Sequence, residues 1–214
     1  MPGMADLWIF VGALAVAYLA PGPDMVLILQ TGALMGRAQA LAVAIGLAVA
    51  RALHVLLAAF GLATLLRTSP WVFDIVRLAG AAYLIWLGVG VLRTRSFSLE
   101  GMAMQPGQTG RSWLTAARRG LLTNLLNPKA LLFCSVLLPQ FIRVEQGGIR
   151  GQFLLLGAIL VALGLIFDFT YAGGGAALRR WLDHHPFVHN LQRWAFASLL
   201  IGFGVRLALA PRPT

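Results

Sequence analysis

The stretch LWIFVGALAVAYLAPGPDMVLILQTGAL, residues 7–34, decides the fold. It is apolar almost throughout and longer than the roughly 20 residues that carry a helix across a bilayer. Yet Pro21-Gly22-Pro23-Asp24 stands in its middle. Each proline lacks an N–H and collides with the carbonyl four residues earlier, and Gly22 is free to take positive φ. A single continuous helix through this segment is therefore not expected. Backbone groups released by a break at membrane depth must find partners in protein, water or ligand. Transporters place such breaks at substrate sites, where the second half-helix offers free N–H groups to an anion and the released carbonyls face cations.

Five further apolar stretches follow, at 38–66, 70–92, 119–141, 151–178 and 190–210. A polar segment, 93–118, interrupts them and contains Glu100, Gln105, Pro106, Gly107 and Gln108. β-Barrel strands are about 10 residues long and alternate in polarity, and these runs do neither. The fold class expected is an all-α membrane protein with six transmembrane helices, a single transporter domain over residues 1–214. Composition agrees: hydrophobic residues make up 59% of the chain and charged ones 11%, against about a quarter charged in soluble domains. The first stretch reads as a retained span, because Asp6 is the only charge before it and the run outlasts a signal peptide.

The net charge of +10 excludes little by itself. Nucleic-acid binders gather basic residues on one face or arm. Here the arginines stand between apolar runs, as in Arg93/Arg95, Arg118/Arg119 and Arg179/Arg180, which is how charges flank membrane spans and meet anionic lipid. The lipid bilayer, not nucleic acid, is the expected partner. The connections after the first, third and fifth stretches hold Arg37, then Arg93, Arg95, Arg111, Arg118 and Arg119, then Arg179 and Arg180. The opposite side holds Arg67, Arg77, Arg143, Arg150 and Arg212. The positive-inside rule then puts the central loop in the cytoplasm of a cell inner membrane and both termini outside.

A second break lies at Asn127-Pro128-Lys129, inside the fourth stretch. Asparagine is a strong N-cap, the residue before proline avoids helical geometry, and proline suits the first helical position. Each half of the chain, 1–92 and 119–214, thus opens with a helix broken at proline and followed by a charge: Asp24 after Pro23, Lys129 after Pro128. Three helices per half forces opposite orientations, the pattern of a 3+3 inverted repeat whose site lies where the breaks meet.

Ionisable residues within spans are costly and mark function by default. Those singled out are Asp24, Arg51, His54, Lys129 and Asp168. With His54 neutral, two acids balance two bases. Arg51 and His54 lie three apart and share a helix face. Asp24 reads as an N-cap of the second half-helix, as a ligand for a substrate ammonium, or as both. Lys129 reads as a ligand for a substrate carboxylate or as the neutraliser of Asp24. Arg51 with Asp168 reads as an ion pair between the second and fifth spans. His54 stays open between proton relay and structural hydrogen bonding. Cys134, the one cysteine, excludes an intrachain disulfide and a cysteine metal cage and reads as a small buried hydrophobe. His184, His185 and His189, near Asp183, read as solvated. Gly46 with Ala50, and Gly173-Gly174-Gly175, suit close helix packing.

These residues resemble the LysE/RhtB family of amino-acid exporters over nearly the whole chain. The matching pieces are Pro21-Gly22-Pro23-Asp24; Gly46 and His54; Gly80-Ala81-Ala82-Tyr83-Leu84 with Gly88; Gly120, Asn124, Asn127-Pro128-Lys129, and Phe133 through Pro139-Gln140-Phe141. Asp168 with Tyr171 follows the fifth-span pattern more loosely, and Phe196-Ala197 stands where the family often has glycine, so packing there is expected to differ. The resemblance implies a six-span inner-membrane protein that exports amino acids or related metabolites, driven by the proton or ion gradient without ATP. No Walker-type Gly-x-x-x-x-Gly-Lys-Ser/Thr element is present.

The expected function is secondary export of amino acids, not enzymatic catalysis. Pro21, Gly22, Pro23, Asp24, Arg51, His54, Asn127, Pro128, Lys129 and Asp168 form the expected binding or coupling set. No cofactor or resident metal is expected, and assembly with further copies of the chain is left open. The alternatives are export of cations or metals, for which ligands are scarce, and a non-catalytic membrane protein, which leaves the charged breaks without a purpose.

Overall fold

A computed structural model describes residues 3–20, 22–65, 70–93, 112–143, 146–183 and 186–209, and there the chain is helical with short turns between. The first apolar stretch is split into α1 (Met4–Leu19) and α2 (Pro23–Met35). The second and third are α3 (Arg37–Leu65) and α4 (Pro70–Arg93). The fourth is split into α5 (Trp113–Leu125) and α6 (Pro128–Leu132), which runs on through a π turn, Phe133–Leu137, and a 3-10 turn, Leu138–Phe141. The last two are α7 (Ile149–Asp183) and α8 (Pro186–Leu209). The axis bends by 52° between α1 and α2 and by 64° at the break after α5.

Among the described residues two segments, Arg37–Gly61 and Ile149–Gly174, are each long and apolar enough to cross a membrane, and each bent pair adds one more when taken as a single span. Burial in α3 is arranged for lipid. Leu53, Leu56, Leu57 and Phe60 are exposed, while Arg51 and His54 on the other side are buried. A helix that hides its charges and shows its leucines is solvated by hydrocarbon.

α3 runs through the centre against α5 and α7, α2 lies against α3 and α7, and α4 packs along α8. Two apolar clusters result. One gathers Phe10, Leu14, Leu137, Phe141 and Leu156, and the other Met25, Ile28, Val43, Leu47 and Tyr171. The α3–α5 crossing is closed to the backbone: a Cβ on Gly46 would overlap Ala117 O, and one on Gly120 would overlap Val43 O. Gly88 makes a similar approach, where a Cβ would sit 3.1 Å from Ala197 O. Small residues at helix crossings are the usual membrane solution.

Several boundaries differ from the sequence expectation. The fourth helical stretch begins at Trp113, not at residue 119, so Arg118 and Arg119 lie within α5 instead of the connection before it. α7 extends to Asp183, which places Arg179 and Arg180 in a helix as well. Arginine is a good helix former, and its long stem lets the charge reach the interface from a helix end. Charge alone therefore marked connections too generously. Gly173 and Gly174 meet nothing within 4 Å where a Cβ would stand, so they make no close packing of the kind expected. His184 and His185, and the side chains of Asp183 and His189, lie outside the described residues, and of Gly175 only its place in α7 is described.

One glycine that the sequence reading passed over is required. Gly36 alone joins α2 to α3, with φ +92° and ψ 172°, a region open essentially to glycine. Gly36→Ala is expected to cost about 1–3 kcal/mol, read as a lower denaturation midpoint of the purified protein with the helical content unchanged.

Candidate functional site

Both breaks are built from backbone that ends one helix and starts another. At the first, Ala20 closes α1 by donating its N–H to Val16 O at 3.0 Å, and α2 starts with Pro23 at its first position. The Ala20 carbonyl, just past the end of α1, accepts from Lys129 Nζ at 3.0 Å. At the second, Asn127 caps α6: its Oδ1 accepts from the Lys129 N–H at 3.0 Å, as its position before Pro128 leads one to expect. The ammonium of one break thus lies on the freed carbonyl of the other.

Asp24 is the hub. Its Oδ1 accepts from Asn127 Nδ2 at 3.0 Å, and its Oδ2 accepts from Asn124 Nδ2 at 2.6 Å and from Arg51 Nη2 at 3.4 Å. Arg51 binds Asp168 with both ends of its fork, Nη1 to Oδ2 at 2.5 Å and Nη2 to Oδ1 at 3.2 Å. The Arg51 and Asp168 side chains are each 3% exposed and that of Asp24 19%. Arg51 therefore ties α2, α3 and α7 together, and planar bidentate pairing is what a guanidinium does best. The Tyr18 ring lies against it, 5.1 Å from Cζ, and is itself held by O–H···O bonds: Tyr18 to Leu160 O and Tyr171 to Tyr18 O, both 2.9 Å. Gly164 leaves the room, since a Cβ there would stand 2.7 Å from Arg51 Nη1 and 2.9 Å from Tyr18 Oη. Lys129 Nζ lies 4.5 Å from the Phe196 ring centroid, and among the described residues no carboxylate comes within ion-pair distance of it.

These groups line a cavity of about 590 Å³, counting its open mouth. Asp24, Arg51, Asn124, Asn127, Lys129 and Asp168 supply the polar wall, and Leu14, Ala17, Met25, Phe133 and Leu160 the apolar one.

The sequence-predicted set is largely gathered here, with differences. Pro21 lies outside the described residues. Gly22 lines the cavity but with φ −166°, extended backbone that any residue adopts. Its following proline already imposes that geometry, so positive φ is not what the glycine provides. A Cβ there would stand 3.5 Å from Lys129 Nζ, an ordinary van der Waals contact, so the local geometry does not itself demand glycine. Asp24 does not cap α2. Gly22 holds the cap position with no side-chain bond, and Asp24, inside the first turn, reaches across to α5 and Asn127. Nor does Lys129 pair with Asp24; Arg51 does. Pro23 and Pro128 start their helices; Pro23 is not among the lining residues, and the side chain of Pro128 lies outside the described ones. His54 lies off the cavity, its Nε2 3.1 Å from Asn124 O. Cys134 is buried, as expected, yet it lines the cavity. Tyr18, Asn124, Gly164 and Tyr171 were missing from the set. Asn124 carried a signal, an amide one helical turn before Asn127 in an apolar run; Tyr18 and Gly164 carried none.

A sequence model of the LysE type translocator family matches residues 15–210. The chain belongs to this family. It is 31% identical over 209 residues to a leucine efflux protein of Enterobacter sp. (strain 638), covering 96% of each chain. It is 33% identical over 193 residues to a homoserine/homoserine lactone efflux protein of Salmonella typhimurium, covering 90% of each. An uncharacterized membrane protein of Pseudomonas aeruginosa is 33% identical over 211 residues and 97% of each chain. No solved structure matches. Family, relatives and apolar helices together support a multi-pass membrane protein.

Proposed function

We propose that the protein is a secondary transporter that exports amino acids or close metabolites across the cell inner membrane, driven by the proton motive force. The observation that carries this reading is the cross-link between breaks: Lys129 Nζ on Ala20 O and Asn127 on Asp24, at one partly open cavity. Half-helix ends and opposite charges facing one space suit a zwitterion. A substrate carboxylate takes the free donors of Lys129, and its ammonium takes the remaining acceptor capacity of Asp24 and the Ala20 carbonyl. The relatives' names, leucine efflux and homoserine/homoserine lactone efflux, support amino acids as the cargo.

Six spans in a 3+3 inverted repeat, residues 1–92 and 119–214 joined by a cytoplasmic 93–118, with both termini outside, is the architecture that goes with this function. In support, each half contains a helix bent at proline. The packing of α3 on α7 and of α4 on α8 pairs like with like, as a twofold axis in the membrane plane requires. Alternating access follows as rocking of the halves about the site. Protonation of Asp24, Asp168 or His54 would couple the cycle to the gradient.

Cells loaded with dipeptides release the constituent amino acids, and the expected result is faster release of one or a few of them, abolished by an uncoupler. Asp24→Asn and Lys129→Ala are each expected to lower that release more than tenfold while accumulating normally in the membrane. Export at the parental rate by both variants would sink the site, and no change across all amino acids with parental protein would sink the function.

A further inference from the structure

We infer that the cavity selects α-amino acids with uncharged, apolar side chains and turns away those with charged ones. The inference rests on the amino-acid reading of the cavity and narrows it. The charges on the cavity wall are Asp24, Asp168, Arg51 and Lys129, two of each sign. Three of them are already tied together: both Asp168 oxygens lie on Arg51, and Arg51 also bonds Asp24. What remains for a ligand is Lys129, with one of its three donors on Ala20 O, and the last acceptor capacity of Asp24, whose oxygens already take bonds from Asn124 and Asn127. That is one positive and one negative anchor, which the α-carboxylate and α-ammonium use up.

A third charge on the substrate then finds no unpaired charge of opposite sign, and the Asn124 Oδ1, which has no hydrogen-bond partner, offers a neutral acceptor only. A side-chain ammonium or carboxylate would face Leu14, Met25, Phe133 and Leu160. An unpaired charge in such surroundings is strongly disfavoured, whereas an aliphatic side chain gains by every part of its surface removed from water. A hydroxyl falls between, because an apolar wall rejects it only modestly.

The test is counterflow in proteoliposomes that hold the purified full-length chain, run separately with labelled leucine, methionine, homoserine, lysine and glutamate. Leucine and methionine are expected to exchange at least a hundredfold faster than lysine or glutamate, with homoserine between. Lysine or glutamate exchange at the leucine rate would overturn the inference and leave amino-acid transport standing. Exchange of none of the five would remove both. Leu160→Ala, which widens the apolar wall, is expected to raise the phenylalanine-to-leucine ratio about tenfold. An unchanged ratio with leucine exchange retained would refute the seating of the side chain on that wall.

Discussion

Arg51→Leu is expected to lose most of the folded protein from the membrane, and to abolish export in what remains. The guanidinium is 3% exposed and faces two carboxylates. Removing it leaves Asp168 buried without its ion-pair partner, and breaking a buried pair from one side costs about 3–5 kcal/mol, a large fraction of a typical folding free energy. The double variant Arg51→Leu/Asp168→Leu separates structure from transport. Replacing both members of a buried pair by apolar residues is often neutral, and here it leaves Asp24 held by Asn124 and Asn127 and still balanced in charge by Lys129. Its accumulation is expected to return toward the parental level, measured by size-exclusion chromatography in detergent, with export still lost. If instead the double variant exports, Arg51 and Asp168 are only a structural brace. If the single variant accumulates and exports normally, the hub assigned to Arg51 does not exist.

Much of this site was legible because membrane burial makes polar residues conspicuous. In a chain where 11% of residues are charged, an acid or base within an apolar run needs a reason, and Asp24, Arg51, Lys129 and Asp168 stood out on that ground alone. The Asn127 cap was legible too, since asparagine before proline has few other uses there. Partner choice was not. Asp24 and Lys129 occupy matching places after their prolines, yet Asp24 pairs with Arg51, and Lys129 with a backbone carbonyl. Which groups meet depends on how α2 leans on α3 and α7, and no residue pattern within one helix encodes that. Tyr18 and Gly164 were invisible for the same reason: one holds a neighbouring helix by a backbone carbonyl, the other only makes room. Helix ends were misplaced where arginine was read as loop. The same residue serves as a helix former and as an interfacial charge, so its presence marks the membrane edge without marking the end of the helix.

The glycines of α3 give the second large effect. Gly46→Leu is expected to abolish accumulation of folded protein, while Gly61→Leu, in the same helix, is expected to leave both accumulation and export near parental. Propensity and composition change identically in the two variants. Only the surroundings differ: a Cβ at Gly46 would overlap Ala117 O and stand 2.7 Å from Leu121 N, whereas at Gly61 it would meet nothing within 4 Å. Backbone cannot move aside as a flexible side chain can, so α3 and α5 must separate. That separation reaches the site, because Gly46 and Gly120 form the crossing just before Arg51 and His54 on one helix and Asn124 on the other. Moving α5 outward pulls Asn124 from Asp24, a 2.6 Å bond, and from His54, a 3.1 Å contact. Gly46→Ala tests the link at smaller displacement: it is expected to insert and accumulate in part, yet to export at least tenfold more slowly per folded molecule. Equal loss from Gly46→Leu and Gly61→Leu would mean that α3 fails through side-chain bulk alone and that the crossing has no special role. Full export per molecule by Gly46→Ala would mean that the crossing holds the fold together without setting the geometry of the cavity.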